Sequence, residues 1–236
     1  MAPQCLTTQF RCNLARVVQQ AVRLRAAVTL LGRFPALAGV DLDILPGEVV
    51  LLKGANGAGK TTLLRLCAGL CVLSDGQAWV LGHDLNTQRQ MVRRRVALMG
   101  HSTGLYDELS VTENVSFWGR AARASHKEIH DALELLQLTG RLARTRARQL
   151  SAGQRRRACF ASLLVRRPEL WLLDEPHAGL DQQSRDIVDS LVLSAAQDGA
   201  TVVMASHELE RIQKLQPRVV SVAGGMVDPK AVAHAS

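Results

Sequence analysis

Gly54-Ala55-Asn56-Gly57-Ala58-Gly59-Lys60-Thr61 fits the pattern GxxxxGK[ST], a spacing suited to gripping phosphate groups. The glycines at 54, 57 and 59 let the backbone take conformations that a Cβ would obstruct, so successive N–H groups can converge on anionic oxygens at a helix N-terminus. Lys60 adds a mobile cation for β and γ phosphates. Thr61 can offer its hydroxyl to Mg2+, and Thr62 can donate on the α phosphate side. The flanks argue against an ordinary glycine-rich turn. The strand-like Val49-Val50-Leu51-Leu52-Lys53 runs into the loop, and the helical pattern Leu63 to Leu70 leaves it.

A second constellation follows the apolar run Leu170-Trp171-Leu172-Leu173, which ends in Asp174-Glu175. Alternation along a strand sends neighbouring side chains in different directions, so one carboxylate can serve a metal and the other a water. Asp174 would hold Mg2+ through its water shell, and Glu175 would polarise the water that attacks a γ phosphate. Alone, such a pair also reads as a helix-capping signal. Three further segments bear on the choice: Leu150-Ser151-Ala152-Gly153-Gln154, Ala178-Gly179-Leu180-Asp181, and His207 in Ala205-Ser206-His207-Glu208.

In this order, between about Val22 and Val227, the segments resemble the ABC ATPase family: phosphate loop, signature, Walker B carboxylates, D-loop and switch histidine. The resemblance implies an α/β fold of the P-loop NTPase, ABC ATPase type, with a mainly parallel core sheet, an antiparallel β subdomain and a helical insertion. It implies ATP and Mg2+ as cofactors and ATP hydrolysis coupled to transport, with Glu175 and His207 catalytic, Thr61 and Asp174 at the metal, and residues Gly54 through Thr62 on the nucleotide. Ser151, Gly153, Gln154 and Asp181 are implied to close over ATP held by a second ATPase subunit. A serine hydroxyl and backbone N–H groups at a helix start make a physically sensible second anion site. The remaining implied partners are separately encoded permease subunits, which would place the chain peripherally on the cytoplasmic face of a membrane.

Two positions depart from the family pattern. Where that pattern carries a glutamine near the metal and the permease, this chain has His101, whose imidazole can accept from a metal-bound water or ligate weakly and would bring pH sensitivity. The surrounding Gly100 to Leu109 resembles the Gly-His loop of ATPase subunits in the cytochrome c maturation haem exporter. Where an aromatic residue would stack on adenine, the chain has Leu31, with Phe34 as a nearby substitute.

The elements that must position these residues are legible more coarsely. Strand, glycine loop and helix follow one another from Val49 to Leu70, and Glu169–Leu173, Gln183–Gln197 and Thr201–Ala205 read as strand, helix, strand, which implies a parallel sheet. The span from about 87 to 166 reads as mainly helical. The expected layout is one ABC ATPase domain over 22–228, preceded by a poorly ordered extension over 1–21 and followed by a tail over 229–236. Residues 1–40 hold five arginines and no acidic residue, a bias shared with transit peptides, but no continuous hydrophobic signal core.

Composition narrows the classes further. At 236 residues and 47% hydrophobic, the chain can bury a sizeable core. Its apolar runs fall far short of the roughly 20 residues needed to cross a bilayer. The net charge of +8 comes mostly from scattered arginines, so no nucleic-acid partner is expected, and the runs Arg93–Arg95 and Arg155–Arg157 read as solvated faces with local ion pairs. Five cysteines without a CxxC pair suit a reducing compartment. Export is the expected direction, with haem ahead of drugs, lipids or polymers, and a soluble ATPase of the iron–sulfur assembly type as the alternative.

Overall fold

The computed structural model describes residues 20–100, 104–228 and 233–234. The chain begins with a long hairpin, β1 (Val22–Leu31) and β2 (Phe34–Ile44), followed by β3 (Val49–Lys53), α1 (Lys60–Cys67), β4 (Asp75–Val80), β5 (His83–Asp84), α2 (Arg89–Arg95) and β6 (Val96–Met99). Helices α3 (Val111–Ala121), α4 (His126–Leu135), α5 (Gly140–Ala143) and α6 (Ala152–Arg166) come next. The remainder is β7 (Leu170–Asp174), α7 (Gln182–Gln197), β8 (Thr201–Ala205), α8 (Leu209–Ile212), β9 (Arg218–Ala223), β10 (Met226–Val227) and β11 (Ala233–His234).

Two sheets result. The antiparallel one runs β2-β1-β4-β5, and the larger one runs β10-β9-β3-β8-β7-β6. Strands β9, β3, β8, β7 and β6 are mutually parallel, with β10 and β11 antiparallel to β9. The parallel strands are almost continuously apolar because both faces of the sheet are covered. Alternation divides their side chains between two cores. Val50, Leu52, Leu170, Leu172, Val203 and Ala205 pack with Leu63, Leu64 and Leu66 of α1 and with the inner face of the antiparallel sheet. Leu51, Trp171, Leu173, Val202 and Met204 pack on the other side with α3, α4, α6 and α7.

The span expected to be mainly helical contains β6, whose Val96 pairs with Leu170 at the edge of the core sheet. The helices that follow one another without a core strand therefore run from 111 to 166. Three of them start on capping boxes, Ser110 with Glu113, Ser125 with Glu128, and Ser151 with Gln154, where each serine accepts from the N3 amide and the N3 side chain accepts from the N-cap amide. Residues 233–234, expected in a tail, pair with Arg218 and Val219 of β9. Residues 1–19 and His101 lie outside the described residues. Among the described residues, no helix is long and apolar enough to cross a membrane.

Candidate functional site

The site is built at the carboxyl ends of three neighbouring parallel strands, the usual place for a ligand in an open α/β sheet. Leu52 of β3 and Asp174 of β7 both register with Ala205 of the intervening β8, so the three strands end level with one another. Each then releases a motif: the phosphate loop after β3, Glu175 after β7 and His207 after β8.

Close packing dictates the loop's glycines, for two different reasons. Gly57 and Gly59 take φ of 79° and 106°, left-handed values that a side chain strains, and Gly59 also stands where a Cβ would lie 2.7 Å from the Ala36 carbonyl oxygen. Gly54 has no such φ; a Cβ there would lie 2.1 Å from the Val222 carbonyl oxygen of β9. The turn after β9 buttresses the loop from the same side, with the Gly225 amide donating to the Ala58 carbonyl at 3.0 Å. Gly59 ends the loop as N-cap of α1, and its carbonyl accepts from the Leu63 amide at 2.8 Å.

The side chains converge on a cavity of about 440 Å³ bordered by Asn56 to Thr62, Asp174, Glu175 and His207. Lys60 is only 8% exposed, and its ammonium donates to the carbonyls of Gly54 at 2.6 Å and Ala55 at 3.0 Å, folded back over its own loop. The Thr61 hydroxyl donates to Asp174 Oδ2 at 2.7 Å, joining the start of α1 to the end of β7. His207 Nε2 lies 3.0 Å from Asn56 Oδ1 and 3.4 Å from Glu175 Oε1, so the switch histidine bridges the phosphate loop and the second carboxylate. Leu31 also borders the cavity, whereas its cross-strand partner Phe34 is 79% exposed and stands outside it.

Glu175 has φ of 49°. A non-glycine residue in that region costs roughly 1–2 kcal/mol and persists only where its surroundings hold it. Its amide donates to the Ala205 carbonyl at 2.8 Å, and its carbonyl accepts from Arg156 Nη1 at 2.7 Å.

The signature residues Ser151, Gly153 and Gln154 and the D-loop's Asp181 stand apart from this cavity, which the D-loop reaches only through Ala178. Ser151 Oγ accepts from the Gln154 amide at 3.2 Å and Gln154 Oε1 accepts from the Ser151 amide at 2.9 Å, so both act first as the cap of α6. Gly153 packs on the D-loop, where a Cβ would lie 2.6 Å from the Gly179 carbonyl oxygen. Asp181 caps α7, its Oδ1 accepting from the Ser184 amide at 2.8 Å, a bond that holds its carboxyl below the usual range.

Several residues with no motif to mark them hold the motifs in place. Arg156 borders the cavity at 7% exposure, and burial pulls its pKa below the ordinary arginine value. Arg185 donates to the Leu180 carbonyl at 2.9 Å and to Glu208 at 3.2 Å, tying the D-loop to the residue after His207. His177, 2% exposed, sits 2.8 Å from Asp189, which also pairs with Arg211. The arginine runs are thus more structural than expected. Arg155 pairs with Asp107, Arg157 donates to the Leu136 carbonyl at 3.2 Å, and Arg93 donates to the Gly69 carbonyl.

A parallel sheet with a glycine loop after one strand and a hydroxyl–carboxylate pair joining two strand ends defines a phosphate-loop nucleotide-binding cassette. The chain belongs to the ABC transporter family, whose sequence profile matches residues 37–178. It is similar to the cytochrome c biogenesis ATP-binding export protein CcmA of Vibrio parahaemolyticus, 35% identical over 171 residues that cover 72% of this chain and 83% of the relative. It is also similar to the phospholipid-transporting ATPase ABCA7 of Homo sapiens, 36% identical over 194 residues and 81% of this chain, although the chain spans only 9% of that protein's length. Among solved structures, the dimeric post-hydrolysis state of the ATP-binding cassette MJ0796 bound to ADP and Pi matches with a TM-score of 0.79 at 25% identity, covering 88% of this chain and 96% of that one.

Proposed function

We propose that the chain is the ATP-binding and hydrolysing subunit of an ABC exporter, working as a pair of cassettes on the cytoplasmic face of a membrane beneath separately encoded permease subunits. The Thr61 to Asp174 contact carries this reading. A hydroxyl and a carboxylate at 2.7 Å, beside the phosphate loop, form the oxygen donor set that suits Mg2+. Bound there, Mg2+ would supply charge neutralisation for the β and γ phosphates.

The chain's own residues do the rest. Amides of Gly57 to Thr62 and the Lys60 ammonium bind and orient the phosphates. Glu175 accepts the proton of the attacking water, and His207, steadied by Asn56, holds the γ phosphate end of the site. Ser151, Gly153 and Gln154 lie outside their own chain's cavity, which fits their closing over the nucleotide of a second subunit. His101 is proposed as the residue through which the metal and the permease are sensed.

The similarity to CcmA, which takes in 83% of that relative's length, supports export in cytochrome c biogenesis as the transport role. The test is affinity purification from membranes of a tagged Glu175→Gln chain with ATP and Mg2+. Recovery of integral membrane subunits is expected. Recovery of soluble partners alone would overturn the transporter reading.

A further inference from the structure

The signature helix and the catalytic carboxylate are joined within one chain by a side chain that no motif marks. Arg156 lies in the second turn of α6, five residues past the capping serine, and its guanidinium is turned inward, away from solvent. Its Nη1 donates to the carbonyls of Glu175 at 2.7 Å and Asp174 at 3.4 Å. Burying a guanidinium costs free energy unless its donors are used, and here Nη1 is directed at the carbonyls of Asp174, which ends β7, and of Glu175, which follows it.

The target is a non-glycine residue of the site with a left-handed backbone, a conformation that its surroundings must hold. Glu175 is left-handed at φ 49°, with its amide donating to the Ala205 carbonyl and its own carbonyl accepting from the Ala178 amide at 3.2 Å and, more closely, from Arg156 at 2.7 Å. A second tie lies three residues earlier on α6, where Gly153 packs against the Gly179 carbonyl with no room for a Cβ. The first turns of α6 and the segment 174–179 are therefore fastened at two points, so displacement of one end of that unit is felt at the other.

We propose that Arg156 is the positioning residue for Glu175, and that through it a second subunit's nucleotide engaging Ser151 also sets the carboxylate of this chain's own site. The proposal rests on the two-cassette reading above. It makes the nucleotide sites of a dimer cooperative through α6, and it separates Arg156 from the phosphate-binding residues although it borders the same cavity.

The experiment compares wild type, Arg156→Met, Arg156→Lys, Glu175→Gln and the double variant Arg156→Met/Glu175→Gln, measuring ATP turnover and, by calorimetry, ATP affinity. Arg156→Met is expected to lower kcat by about tenfold to a hundredfold while the Kd for ATP stays within about threefold, and Arg156→Lys is expected to recover part of the rate. In the Glu175→Gln background the Met substitution is expected to cost nothing further, because the group it positions is already gone. Turnover against ATP concentration is expected to be sigmoidal for wild type and hyperbolic for Arg156→Met. A kcat near that of wild type, a Kd loss that accounts for the whole effect, an equal rate loss in both backgrounds, or hyperbolic wild-type turnover would each overturn the proposal. If Arg156→Met fails to fold, the same comparisons on Arg156→Lys decide. A wild type that turns over no ATP at all would instead overturn the parent reading.

Discussion

Lys60 is held by two carbonyls of its own loop and is almost wholly buried, so its ammonium is positioned before any phosphate arrives and little ordering remains to be done on binding. Removing it leaves the loop amides but deletes the only cation that the motif itself supplies. Lys60→Ala should weaken ATP binding by at least about a hundredfold, since a charge-assisted contact from a nearly buried ammonium contributes several kcal/mol. Equilibrium binding of a fluorescent ATP analogue checks this, and an unchanged Kd would remove Lys60 from the phosphate site. That Lys60, Thr61, Asp174 and Glu175 gather at one cavity was legible in the sequence because residue type and short spacing mark them. Arg156 and Arg185 were not. Both bond backbone carbonyls far along the chain, and a carbonyl has no identity in a sequence. Asp181, which the resemblance implies for the nucleotide of a second subunit, serves within this chain as the cap of α7.

At the scale of elements, β3, β7, β8 and α7 were visible as short apolar runs and a longer amphipathic one, and the structure places β7, α7 and β8 in the expected parallel arrangement. Strand β6 was hidden because Val96-Ala97-Leu98-Met99 suits a helix equally well and directly follows the helical Arg89–Arg95, so only its pairing with β7 reveals it. The antiparallel sheet came from the family resemblance rather than from periodicity, since the irregular register of β1 between Arg25 and Val28 breaks its alternation. Gly54 illustrates a glycine whose role only the packing discloses. Gly54→Ala puts a methyl group into the Val222 carbonyl and must push the phosphate loop away from β9, at a cost of roughly 2 kcal/mol or more. Urea denaturation should show a clearly lower midpoint, together with weakened nucleotide binding. A midpoint equal to that of wild type would mean that the loop and β9 are not locked together as described.

The whole molecule brings segments from Leu31 to His207 to one edge of a sheet whose two faces are both occupied, so the edge at the strand ends is where a ligand can be admitted. Among the described residues no helix is long and apolar enough to cross a membrane. The cavity nevertheless holds only part of the set of residues that the family's order assigns to a nucleotide. Phosphate loop, Asp174, Glu175 and His207 border it, while Ser151, Gly153 and Gln154 are tied to the D-loop and to their own helix cap. On this reading the working unit is a pair of chains with ATP between them, and hydrolysis through Glu175 is what parts the pair. Sedimentation velocity of the Glu175→Gln chain tests that most directly, with ATP and Mg2+ compared against ADP and Mg2+. A species of twice the chain's mass with ATP, reverting to the single chain with ADP, is the expected result. A single chain under both conditions, with ATP shown to be bound, would contradict the account.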